Sequence, residues 1–169
     1  MGQQQLLLVI LVTIIVGIAT VVAINTFGTA ADQANIDAVN NDVATLASAA
    51  QGHYMRPGML GGGGRTFDGS SSDGASSIDF EGLAFPADGL SDDLLTAQNE
   101  NGRYELAVID ASSFTITANP ASCEGYEPGA ITDGVLAAGS DCTSADDQII
   151  ATVQPNNFFF GVTETETEP

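Results

Sequence analysis

The sequence contains no lysine and no tryptophan, and it has only three arginines, one histidine and two cysteines among its 169 residues. These residue types supply many of the bases, nucleophiles and metal ligands of enzymes, so the chain has few groups for catalysis. Its 22 aspartates and glutamates give a net charge of −19, which excludes a nucleic acid as the main ligand. We therefore expect no enzyme and assign no catalytic residue, metal ligand or cofactor.

The acidic residues are concentrated in the C-terminal part of the chain. Residues 1–66 contain three acids and two arginines, a net charge of −1, whereas residues 67–169 contain nineteen acids and one arginine, a net charge of −18. The length fits one domain, or one domain with a long appendage. An apolar, nearly neutral N-terminal third therefore precedes an acidic remainder.

The longest apolar run is Leu6–Ile24, which has no charged side chain. About 20 apolar residues suffice to cross the hydrocarbon core of a bilayer as a helix. A signal peptide normally has basic residues before a shorter apolar core, and here the first basic residue is Arg56. The run predicts a membrane-spanning helix. A cleaved signal peptide and a plain membrane anchor are alternatives to the more specific role argued below.

The helical pattern continues beyond this run without a break. The first proline is Pro57, and apolar residues after Phe27 recur at spacings of three and four, which places them on one face of a helix. This face consists of Ile36, Val39, Val43, Leu46 and Ala50. A helix from about residue 3 to about residue 54 is far longer than a typical globular helix, so its C-terminal half should pack on something else.

A β-rich region follows a connection rich in glycine and serine. Four consecutive glycines within residues 58–64 predict a flexible connection, and the absence of a GKS or GKT pattern argues against a phosphate-binding loop. Alternating apolar residues in 104–109 and 113–119 predict a β-hairpin. Further strands are predicted at 148–153 and at 158–160, with closure of the core as the alternative role of 158–160, and a weaker candidate lies at 78–85.

The predicted fold class is α+β, with one long N-terminal helix and a small antiparallel β-rich head. The predicted regions are a helix over 1–56 (apolar in 6–24, amphipathic in 25–54), a Gly/Ser-rich loop over 57–77, and an acidic globular head over 78–169. Within the head, residues 163–169 alternate threonine and glutamate and predict an exposed strand extension or tail.

This order of regions resembles the type IV pilins and the related pseudopilins. The resemblance covers the whole chain in architecture, and in residues it is concentrated in 2–25. It implies that the helix is held in the inner membrane before assembly and that the pilus assembly machinery extracts it. Identical subunits would then form a helical filament on the cell surface, with bundled N-terminal helices inside and heads outside.

The resemblance also implies roles for individual residues. Gln3, Gln4 and Gln5 would form neutral hydrogen bonds between subunits, with a polar helix start at the membrane surface as the alternative. Gly17 and Gly28 are possible melting or kink points, because the proline that family members often carry in the apolar helix is absent. The filament core would contain Leu6, Leu7, Leu8, Val9, Ile10, Leu11, Val12, Ile14, Ile15, Val16, Ile18, Val21, Val22 and Ile24.

The N-terminus departs from the family pattern. Family prepilins are cut after a glycine that ends a basic leader, and the fifth residue of the mature chain is a glutamate. Cutting after Gly2 would make Leu7 the fifth residue, whereas counting from Met1 places Gln5 there, a neutral isostere of glutamate. We therefore expect Met1 or Gly2 to remain at the N-terminus.

Cys123 and Cys142 resemble the pair that closes the C-terminal disulfide loop of type IV pilins, with two free buried thiols as the alternative. Closing a loop of about 20 residues would stabilise a small head by about 3 kcal/mol. His53 is expected to be a solvated helix-end residue, and two cysteines with one distant histidine do not indicate zinc. The acids Asp141, Asp146 and Asp147 predict a solvated surface more than a calcium site.

The sequence therefore predicts a structural subunit of an extracellular type IV pilus-like filament. The alternatives are a minor pseudopilin of a secretion or DNA-uptake system, and a membrane-anchored surface protein with a single span that does not polymerise. The large excess of acid also suggests a salt-rich habitat, with an acidic surface that prevents self-adhesion in ordinary medium as the alternative.

Overall fold

The computed structural model describes residues 2–71 and 74–161, with the side chains of all of them except Val108 and Ile109. Helix α1 spans Gly2–Met55 and is followed by a short 3-10 helix, Gly58–Leu60. The helix ends two residues before Pro57, which disfavours helical geometry in the residue before it. The predicted long N-terminal helix is confirmed.

The rest of the described chain forms one sheet of eight strands. The strands are β1 (Gly89–Leu90), β2 (Thr96–Asn99), β3 (Gly102–Asp110), β4 (Ser113–Pro120), β5 (Ile131–Thr132), β6 (Val135–Leu136), β7 (Ile149–Gln154) and β8 (Asn157–Phe160). A second 3-10 helix, Ala145–Asp147, precedes β7. The strand order is β5-β6-β1-β2-β3-β4-β7-β8, with antiparallel pairing except between β1 and β6, so the α+β class is confirmed.

The chain consists of two compact units, each defined by the contacts among its own residues, and the boundary between them lies within α1. The first unit ends at Ala34 and the second begins at Asn35. The second unit contains the C-terminal part of the helix, the connection after it and the sheet. The amphipathic part of the helix therefore belongs to the same folded unit as the strands.

The central strands follow the predicted alternation. Strands β3 and β4 pair as the expected hairpin, with Leu106 opposite Ile116, and β7 and β8 occupy the predicted positions beside it. On β4, Phe114, Ile116 and Ala118 are buried while the residues between them are not, because successive side chains of a strand point to opposite faces. The tail at 163–169 lies outside the described residues.

The weaker strand candidate at 78–85 is wrong. The segment forms a turn in which the amides of Leu83 and Ala84 donate to the carbonyls of Asp79 and Glu81, at 3.1 Å each. Ala84 has a φ of 50°, which is incompatible with an extended strand. A short apolar run can be buried in a turn as well as in a strand, and here Ile78 is buried without strand pairing.

The core lies between the helix, this turn and one face of the sheet. Aromatic rings bridge the layers, with ring centroids 4.9 Å apart for Tyr54 and Phe67 and also for Phe67 and Phe114. Burying a large apolar side chain contributes about 1.5–3 kcal/mol, so this cluster is the main source of stability of the second unit. Its fully buried large members include Val39, Val43, Leu46, Phe67, Ile78, Phe80, Tyr104, Leu106, Phe114, Ile116 and Val153.

Candidate assembly surfaces

The first half of α1 presents an exposed apolar surface. Every residue expected in a filament core has a side chain between 49% (Val12) and 68% (Leu7) exposed. The helix is long and apolar enough to cross a membrane, and its most apolar window has a mean hydropathy of 3.2 with no buried residue. In water this surface would be unfavourable, so it requires a lipid or protein environment.

The threonines of this segment do not prevent burial in an apolar environment. The hydroxyls of Thr13 and Thr20 each donate to a backbone carbonyl one turn earlier, that of Ile10 and of Val16, at 2.8 Å. A hydroxyl that is satisfied within its own helix does not need water. The segment can therefore be surrounded by apolar groups on all sides.

The polar start and the two glycines lie in the same helix. Gln3, Gln4 and Gln5 have exposed side chains, whereas Met1 lies outside the described residues. Gly17 and Gly28 are helical, and a methyl group added at either position would meet nothing within 4 Å. Neither glycine is therefore required by close packing within the subunit.

The amphipathic face of α1 packs on the sheet along most of its length. Val39, Val43, Leu46 and Ala50 are buried, as is Ala47 beside them. Ile36 at the N-terminal end of this face is 41% exposed. One residue earlier, Asn35 Nδ2 donates to the backbone carbonyl of Asn101 at 2.9 Å, and Asn35 Oδ1 accepts from the backbone amide of Ser122 at 3.1 Å.

Asp42 joins this face to the sheet through a hydrogen-bonded cluster. Its Oδ2 accepts from Asn99 Nδ2 at 3.0 Å, from Asn101 Nδ2 at 2.9 Å and from the Tyr104 hydroxyl at 2.7 Å. Burial, together with the nearby Asp42 carboxylate, raises the pKa of Tyr104, so its hydroxyl stays a donor. We call Asp42, Asn99, Asn101 and Tyr104 the Asp42 cluster.

The sequence prediction missed this cluster, although one signal was present. Asp42 lies three residues after Val39 and four before Leu46, so it shares their face of the helix. An acid on an apolar face needs polar partners, and Asn99 at the end of β2 and Asn101 in the turn before β3 supply them. Their identity could not be read from the sequence, because they lie about 60 residues away along the chain.

A disulfide joins Cys123 and Cys142, whose Cα atoms are 5.6 Å apart. The buried Asn119 attaches the enclosed loop to β4, since its Oδ1 accepts from the Cys142 amide at 3.2 Å and from Gln148 Nε2 at 2.9 Å. Asn119 Nδ2 also donates to Asp141 at 2.8 Å, and Asp141 pairs with Arg103. The loop is therefore held by a covalent bond and a polar network.

The acids considered for calcium do not form a metal site in the described parts of the chain. Asp141 is engaged by Arg103 and Asn119, whereas Asp146 and Asp147 are exposed in the second 3-10 helix. Across residues 2–71 and 74–161, no group of three or more histidines, cysteines or acids is placed to hold a metal ion. This part of the head presents a solvated acidic surface.

The expectation that His53 is solvated is wrong. Its side chain is 3% exposed, because the Gly-rich connection folds back over the last turn of α1. The amides of Gly63 and Arg65 donate to the carbonyls of His53 and Tyr54, at 3.0 and 2.9 Å, and so cap the helix end. The composition predicts a flexible connection, whereas the structure has a hydrogen-bonded cap.

Burial favours the neutral form of the His53 imidazole. Its Nε2 lies 3.3 Å from Ser76 Oγ, while Nδ1 has no hydrogen-bond partner among the described residues. Burial lowers the pKa of His53, an effect that Asp79 opposes and Arg56 reinforces. The neutral imidazole thus serves as a packing element beneath the cap.

Comparison of the chain with protein-family models, with curated proteins and with solved structures returned no match. The assignment of function therefore depends on the surfaces described above.

Proposed function

We propose that this protein is a structural subunit of an extracellular type IV pilus-like filament that polymerises through bundled N-terminal helices. The observation that carries the proposal is the exposed apolar segment Leu6–Ile24, which is continuous in one helix with residues that pack on the sheet. A subunit of this kind can keep the segment in the membrane before assembly and in a bundle of identical helices afterwards.

The energetics favour a bundle once the subunit leaves the membrane. Each Leu, Ile or Val removed from water contributes about 1.5–3 kcal/mol, and the segment carries fourteen large apolar side chains. An isolated subunit would expose all of them to water. Association of several helices buries them without any change in the head.

Two features of the head support an extracellular location. The disulfide is typical of proteins that are exported to an oxidising space. The high net negative charge keeps the outer surface of a polymer hydrated.

The test is a single charge in the proposed core. We expect Val12→Asp or Ile15→Asp to abolish filaments in sheared cell-surface material viewed by negative-stain microscopy, because an unpaired carboxylate in an apolar bundle costs several kcal/mol. Gln33→Glu, which adds the same charge at an exposed position of the same helix, should leave filaments intact.

The outcomes separate the candidate functions. Normal filaments from the Val12→Asp variant would contradict the proposal. A wild-type chain that stays detergent-dependent and never appears in filaments would instead favour the membrane-anchored surface protein. A chain present at only a few copies in filaments of another subunit would favour the minor pseudopilin.

A further inference from the structure

The end of α1 and its cap form an exposed surface that combines apolar and positively charged side chains. Its members are Met55, Arg56, Met59, Leu60 and Arg65, and we call it the basic-apolar patch. Met59 is 90% exposed, Leu60 72% and Met55 61%, and both arginines are exposed. Four of the five members line a shallow groove of about 370 Å³ together with Pro57, Gly58 and Gly64.

The patch holds two of the three arginines of a chain whose net charge is −19. The third, Arg103, pairs with Asp141 on the sheet. Within residues 2–71 and 74–161, neither patch arginine lies within salt-bridge distance of a carboxylate. The patch is therefore a local positive area on an otherwise acidic unit.

The backbone holds one of these cations in an unfavourable conformation. Arg65 has a φ of 74°, in the left-handed region that glycine adopts most easily. The four residues before it are glycines, yet this position carries an arginine. Strain of this kind at an exposed side chain suggests a function for the side chain. Methionine and arginine are also enriched in protein interfaces, where lysine and acids are depleted.

We propose that the basic-apolar patch binds the acidic head of a second copy of this chain. The partner must be acidic to match the two arginines, and in a filament neighbouring heads supply such a surface at the highest local concentration. This inference rests on the proposed filament and adds a specific contact between heads. It places two guanidinium groups against carboxylates that would otherwise repel the neighbouring subunit.

The contact must join two different surfaces. If two patches faced each other, four arginines would meet with no carboxylate between them. A patch that instead binds another part of the neighbour makes a heterologous contact, which continues from copy to copy and gives an open-ended polymer unless it closes into a ring. The charge distribution thus favours a linear assembly.

Charge reversal and apolar truncation test the two components separately. The Arg56→Glu, Arg65→Glu double variant should shift the NaCl concentration for half-maximal assembly upward, and assembly should recover near 1 M, where screening is strongest. The Met59→Ser, Leu60→Ser variant should lose assembly without recovery in salt. The matched control, Arg56→Lys with Arg65→Lys, keeps both charges and should assemble as the wild type does.

A further variant separates binding from folding. Arg65→Gly relieves the left-handed strain, so its melting temperature should equal or exceed that of the wild type, while its half-maximal assembly should shift to higher salt. A fall in both stability and assembly would assign Arg65 a structural role and overturn the proposal for this residue.

Photocrosslinking identifies the partner directly. A photoreactive residue at position 59 should yield a dimer whose linked peptide lies within residues 67–161 of another copy. A link only within its own chain, to another patch or to a different protein would overturn the inference. Wild-type material without filaments would refute the proposed function, whereas filaments whose salt profile is unchanged by charge reversal would refute this contact alone.

Discussion

At the scale of single residues, polar side chains fix the helix on the sheet, while the apolar core supplies most of the stability. Asp42 is half-buried and accepts three hydrogen bonds from one end of the sheet. Asn119 likewise holds the disulfide loop, because its side-chain oxygen accepts hydrogen bonds from the Cys142 amide and from Gln148. Such groups specify register because a shifted helix or loop would leave buried donors unpaired.

We predict that Asp42→Ala lowers the free energy of unfolding by about 2–4 kcal/mol, because Asn99, Asn101 and Tyr104 lose a charged acceptor. Urea unfolding followed by circular dichroism measures the change. The control is Asp37→Ala, which removes the same charge from an exposed position on α1 and should stay within about 0.5 kcal/mol. Equal effects of the two variants would contradict the role of the cluster.

We predict that His53 makes stability fall as the pH drops below about 6.5, the ordinary pKa of histidine. Burial lowers the pKa of His53 in the folded chain, so as the pH falls the unfolded chain binds the proton first. Protonation therefore favours the unfolded chain below a pH of about 6.5. Thermal melts between about pH 5 and pH 8 test this. His53→Gln should flatten the dependence, and an unchanged slope would show that other groups cause it.

At the scale of elements, the sequence predicts those helices and strands whose apolar residues recur at a regular spacing. The spacing of three and four along α1 and the alternation in β3 and β4 come from local geometry, so the sequence alone indicated both. The burial of His53 depends instead on a cap contributed by residues 63–65. The short strands β1, β5 and β6 each have two residues, too few to show a period.

Of the candidate surfaces, one can be predicted from the sequence and the other cannot. The apolar segment of α1 is visible from composition, since no fold is needed to recognise it. The basic-apolar patch is not, because its arginines and methionines are scattered over 55–65 and meet only when the connection folds back. Glycine-rich composition suggested flexibility, but here glycines allow the chain to approach the helix end closely.

We predict that replacing both cysteines by serine lowers the stability of the head by about 3 kcal/mol, or roughly 10–20 °C in melting temperature. The disulfide closes a loop between residues 123 and 142 that has little regular structure apart from β5 and β6. Intact-mass analysis with and without reductant verifies the bond in native material. Alkylatable thiols there would contradict both the bond and export to an oxidising space.

At the scale of the whole molecule, the chain has few basic groups to compensate its many acidic side chains. No aspartate or glutamate is buried within residues 2–71 and 74–161, and the ion pair formed there is Arg103 with Asp141. Residues 67–169 carry nineteen acids and one arginine. The fold therefore contains its own electrostatic repulsion, and a polymer of such heads would multiply it.

Salt should stabilise both the fold and the polymer, because it screens this repulsion. Screening acts over about 8 Å at physiological ionic strength and about 3 Å at 1 M, so concentrated salt removes most of the repulsion between neighbouring carboxylates. We expect both the melting temperature of the head and the integrity of filaments to rise from low salt to molar NaCl at fixed pH. Sucrose, which is uncharged, provides the control for stabilisation by solute exclusion. A chain adapted to a salt-rich habitat should show this rise, because its fold and its polymer both depend on screening. Values that stay flat, or that fall as NaCl increases, would instead assign the acidic surface to preventing self-adhesion in ordinary medium.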